Sequence, residues 1–104
     1  MNYEQEYERL RRAVAPGENR EFTARVAIKL GGMDLRGHVL NIRGKDHVAV
    51  KPNDLFYWMF GRLADQREMR DFCLALQAMC WSRYARRGER MYIMPLDEYE
   101  AGMQ

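Results

Sequence analysis

The chain predicts an α+β fold, with helices covering one face of an antiparallel sheet. Three observations predict it. Apolar residues recur every three to four positions from Asn2 to Ala15 and again from Asn53 onward, and they alternate with polar residues in between. These patterns occupy separate stretches, as in α+β proteins, rather than interleaving as in βαβ units. The length, 104 residues, fits one domain over 1–104. A chain of that size buries roughly two-thirds of the surface it exposes when unfolded, enough for a core without disulfide or metal staples.

Asn2 to Ala15 reads as an amphipathic N-terminal helix with Tyr3, Tyr7, Leu10 and Val14 on one face. Glu4, Glu6 and Glu8 precede Arg9, Arg11 and Arg12, the order that complements the helix dipole. Pro16-Gly17 ends it.

Glu21 to Lys51 reads as a three-stranded antiparallel β-meander. Phe22, Ala24, Val26, Ile28 and Leu30 share one face of a first strand. Gly31-Gly32 is a two-residue hairpin turn. A second strand, Met33 to Ile42, changes phase, and a bulge between Gly37 and Leu40 reconciles its halves. The loop Arg43 to His47 leads into the third strand, with Ile42 opposite Val48 and Leu40 opposite Val50.

Two C-terminal helices follow, about 54–63 and 66–87. Asn53 is a candidate N-cap for the first, and Asp65 with Glu68 forms a capping box for the second. Met69, Phe72, Cys73, Leu76, Met79, Cys80 and Tyr84 make its apolar stripe, and Gly88 its C-terminal stop. Met91 to Met94 has the composition of a short fourth strand.

Composition narrows function mainly by exclusion. No apolar run approaches the ~20 residues that span a bilayer, and the N-terminus lacks signal-peptide character. The expectation is a soluble, cytoplasmic protein with no membrane contact. Cys73 and Cys80, on one apolar stripe, fit buried and reduced thiols rather than nucleophiles. His38 and His47 have no companions at metal-ligand spacing. Ser82 and Thr23 are the sole serine and threonine, which removes most hydroxyl-nucleophile schemes. Gly31-Gly32 and Arg43-Gly44-Lys45 do not open helices as phosphate cradles do. No catalytic residue, metal or cofactor is expected, and the chain reads as a non-enzyme.

Two features point to binding. Leu55-Phe56-Tyr57-Trp58-Met59-Phe60 is apolar or aromatic throughout, more than one buried helix face requires. The surplus belongs either to the protein's own core or to an intermolecular interface, where these residue types are enriched. Arginine supplies most of the basic charge, though the net charge is only +2. Arg83, Arg86, Arg87 and Arg90 are expected close together at one helix end, with Arg62, Arg67 and Arg70 nearby in sequence.

The leading expectation is therefore a small adaptor or inhibitor that occludes a protein partner, as a homodimer. Its partner-binding residues would be Tyr57, Trp58 and Arg62, flanked by Arg83, Arg86, Arg87 and Arg90. Its size and arginine-heavy style suit a bacterial or phage genome, and an anti-defence protein, such as an anti-CRISPR inhibitor, is one concrete version of the reading. The alternative is a nucleic-acid-binding module. It would use the helical arginines, or Arg25, Lys29 and Arg36 on the outer sheet face with Arg43 and Lys45 at a turn. Low net charge and the lack of stacking aromatics on that face count against it.

Overall fold

Residues Phe22 to Leu30 satisfy two periodicities. The alternation predicted a strand, but Thr23, Val26, Ala27 and Leu30 also recur at helical spacing. In the computed structural model, which describes residues 20–103, the helical pattern prevails and α1 spans Arg20–Gly31. Its buried residues are Thr23, Ala24, Val26, Ala27 and Leu30, whereas Ile28, which the alternation placed inside, is 57% exposed. Glu21 in the first turn and Lys29 in the last suit the helix dipole. Gly31-Gly32 is accordingly no hairpin: Gly32 and Met33 donate their backbone N–H groups to Lys29 and Leu30 as the helix ends. The predicted helix over Asn2 to Ala15 lies outside the described residues.

The sheet is four-stranded and antiparallel, in the order β1-β2-β4-β3. β1 spans Val39–Ile42 and β2 Lys45–Val50, joined by Arg43-Gly44. Both turn residues have positive φ, 52° and 83°, as a two-residue type I′ hairpin requires. This turn is shorter than the five-residue loop expected, so the register differs: Leu40 faces His47 and Ile42 faces Lys45, while Val39 faces Val48. Residues Met33 to His38 precede β1 rather than belonging to it, so no bulge is needed.

α2 spans Pro52–Phe60, with Lys51 rather than Asn53 at the N-cap position and no side chain capping it, and Gly61 at φ 71° ends it. α3 spans Gln66–Ala78 and starts with the predicted capping box: Asp65 accepts from the Glu68 backbone N–H, and Glu68 accepts from that of Asp65. α3 stops well before the predicted Arg87. Met79, Cys80 (φ 70°) and Trp81 break the helix. β3 then runs over Ser82–Arg86 and β4 over Glu89–Pro95. The tight link is Arg87-Gly88, a second positive-φ pair at 53° and 79°. The glycine expected to stop a helix is thus a hairpin turn, and the fourth strand is present. α4, Leu96–Gly102, closes the described chain.

The α+β class therefore holds, with one expected strand replaced by a helix and the tail of one expected helix replaced by a strand. Val48, Val50 and Tyr92 alternate onto one sheet face. There they join Val26, Leu55, Phe56, Phe72 and Leu76 in a single core. Phe72 meets Phe56 edge-on at 5.3 Å between centroids, a favoured aromatic geometry. Tyr99 of α4 reaches across the molecule to accept the backbone N–H of Leu35 at 2.9 Å and donate to the carbonyl of Met33. It thereby ties the loop before β1 to the chain's end. Both cysteines depart from expectation: Cys73 is half-buried with its Sγ 3.8 Å from Met69 Sδ, and Cys80 is exposed. Cys80 leaves the apolar stripe because the helix that would have carried it inward ends two residues earlier.

Candidate binding surfaces

The apolar run on α2 divides between core and solvent. At 3.6 residues per turn, Leu55, Phe56, Met59 and Phe60 fall on one face. Leu55 and Phe56 are fully buried, and Met59 and Phe60 pack against the core. The neighbouring face carries Tyr57, 53% exposed, and Trp58, 45% exposed. Trp58 does not stand alone. The His38 ring lies against the indole at 4.9 Å between centroids, tilted by 31°. His38 is held in turn by the backbone: its N–H donates to Leu35, and its carbonyl accepts from Ala49. The next residue, Val39, is 44% exposed at the start of β1. Trp58 and His38 thus form an exposed aromatic pair at the β1 edge of the sheet, with Tyr57 and Val39, also exposed, next to them in sequence.

His38 and Val39 were not among the expected site residues. The contact of His38 with Trp58 joins positions twenty residues apart, and no local pattern announces it.

Arg62 takes a different role from the one expected. Its guanidinium makes a two-point bond to Glu68, with Nη1 2.8 Å from Oε1 and Nη2 2.5 Å from Oε2. It also lies 5.3 Å from the Phe56 ring centroid, within cation–π range. Hydrogen bonds from Arg62 and the Asp65 backbone hold the Glu68 carboxyl down to about 2. Arg62 therefore clasps the α2–α3 junction. A cleft of about 260 Å³ opens beside it, lined by Glu21, Phe22, Arg25, Phe60, Arg62, Glu68 and Asp71. Its lining carries both charge signs.

Arg83, Arg86, Arg87 and Arg90 are exposed, but on the β3–β4 hairpin and not at a helix end. The strand order places β3 on the opposite edge from β1. The structure thus separates Arg83 and Arg86 from the β1 edge by the width of the sheet, roughly 14 Å for three strand spacings, and Arg90, on β4, by two spacings. They do not flank the aromatic patch. The second basic set expected, on an outer sheet face, is not assembled either. Arg25 and Lys29 lie on α1, and Arg36 is paired with Asp34 at 2.6 Å.

Among the described residues, no group of three or more His, Cys, Asp or Glu is placed to hold a metal ion, and no helix is long and apolar enough to cross a membrane. No family model, curated protein or solved structure matches the chain.

Proposed function

We propose that this is a non-catalytic binding protein, an adaptor or inhibitor that occludes the surface of a protein partner through the outer face of α2. The observation that carries the reading is the exposure of Tyr57 and Trp58, with the His38 ring set against the Trp58 indole. Large aromatic side chains gather at the centres of interfaces, where burying them contributes most. Exposing several together on an isolated protein is uncommon.

The anchor is also pre-set. Leu55 and Phe56 fix α2 from beneath, and the His38 ring restricts the indole from the side. Less side-chain freedom then remains to be lost on binding. A second copy of the chain presents the same patch, so a homodimer through this face is the simplest assembly. A phage or bacterial anti-defence protein, for instance an anti-CRISPR inhibitor, is one concrete form of such an occluding binder.

Fluorescence quenching tests the reading. The protein's two tryptophans differ, since Trp81 is 5% exposed and Trp58 45%. Acrylamide should quench Trp58 readily in dilute protein. That component should become protected as the protein concentration rises or a captured partner is added. A complex in which Trp58 stays as accessible as in the dilute protein would show that another face binds.

A further inference from the structure

The β3–β4 hairpin is longer than the sheet that supports it. β3 and β4 pair from Ser82↔Ile93 to Arg86↔Glu89. β2 pairs with β4 only as far as Val50↔Tyr92, after which the chain leaves for α2 at Pro52. The last three rungs, Tyr84↔Met91 through Arg86↔Glu89, therefore project beyond β2 as a two-stranded ribbon, roughly 10 Å long at 3.3 Å per residue.

The charge on this hairpin is mostly of one sign. From Ser82 to Met91 it carries Arg83, Arg86, Arg87 and Arg90, against Glu89 alone. Glu89 is already matched, its Oε1 3.2 Å from Lys51 Nζ. None of the four arginines makes an ion pair among the described residues, and all are exposed. A molecule of net charge +2 thus gathers on one hairpin four guanidinium groups that make no ion pair among the described residues, three of them, Arg86, Arg87 and Arg90, on its projecting part.

Their distribution matters as much as their number. Cross-strand partners share a face, so Arg83, opposite Tyr92, and Arg90, opposite Ala85, lie on the core-side face. Arg86 lies on the other face, and Arg87 at the tip. Positive charge therefore surrounds the ribbon. A protein surface would engage one side of it. A duplex groove presents phosphates along both walls, and the B-DNA major groove is wide enough to admit a two-stranded ribbon.

We propose that the β3–β4 hairpin binds double-stranded nucleic acid by placing Arg83, Arg86, Arg87 and Arg90 against the phosphates on either side of a groove. The contacts are to backbone, so binding is largely independent of sequence. The site is separate from the α2 face, and either can fail without the other.

The test is fluorescence anisotropy of a labelled 20-base-pair DNA duplex with the full chain over a salt series. Four phosphate contacts predict that log affinity falls against log salt with a slope of about −3.6. Arg86→Ala with Arg87→Ala should halve that slope to about −1.8 and weaken binding at every salt concentration. The pair Arg86→Lys and Arg87→Lys, which keeps the charge, should retain most of the slope. Arg67→Ala on α3 should change neither quantity. Circular dichroism on each variant confirms that the fold is kept. An unchanged slope in the double alanine variant would overturn the proposal. So would absence of duplex binding at low salt, or tighter binding to poly-glutamate than to duplex, which would assign the ribbon to an acidic protein.

Discussion

Tyr99 and Glu68 show how single side chains hold this fold. The Tyr99 hydroxyl satisfies the backbone N–H of Leu35, a residue only 2% exposed. Tyr99→Phe removes the acceptor and leaves that N–H without its partner, at a cost of about 1–3 kcal/mol. A urea midpoint shift of that size with an unchanged m-value is the expected result. Glu68 makes a pH prediction. Its carboxyl falls from the ordinary 4.5 to about 2 because the folded state hydrogen-bonds the ionised form. A depressed carboxylate contributes stability that is present above the unfolded value and is lost as pH falls through the folded one. Stability should therefore decline between pH 4.5 and about 2, and Glu68→Gln should lose less over that window. Asp34, lowered to about 2 by Arg36, adds its own share in both proteins and sets the residual slope of the variant.

At the scale of elements, the sequence was legible where chemistry is local and misleading where two periods coincide. The Asp65–Glu68 capping box was readable because both halves lie within one turn. The core face of α2 was readable from the stripe Leu55, Phe56, Met59, Phe60 and Leu63, except that the helix ends at Phe60 and leaves Leu63 76% exposed. The Phe22 to Leu30 run was not, since alternation and helical spacing select overlapping residues. Burial against α3, through Val26, Ala27 and Leu30, decides between them. The end of α3 was missed for a similar reason. Tyr84 continues the helical stripe in sequence, yet Arg87-Gly88 closes a hairpin and draws Ser82–Arg86 into the sheet. The cysteines probe this boundary directly. A helix running to residue 87 would bury both, whereas the strand places Cys80 in solvent and Cys73 half-buried. A thiol reagent should label Cys80 rapidly and Cys73 slowly in the native protein. Equal slow labelling would restore the longer helix.

For the whole molecule, the topology assigns the two sets of expected binding residues to different edges. β1 and β3 are the outer strands of the sheet. The aromatic patch sits beside the first, and the arginine ribbon is built on the second. Sequence proximity suggested one continuous surface, because residues 54–63 and 66–87 read as two successive helices. The β3–β4 hairpin disperses that surface, and the segment entering β1 brings His38 to Trp58 from elsewhere in the chain. The central claim, that the outer face of α2 is an interface, is tested most directly by light scattering and circular dichroism on wild type and Trp58→Glu at matched high concentration. The wild type should scatter as a dimer, and Trp58→Glu as a monomer with an unchanged spectrum, since a half-exposed position tolerates charge in the free protein. Loss of the folded spectrum in Trp58→Glu, or an undiminished dimer, would contradict the account.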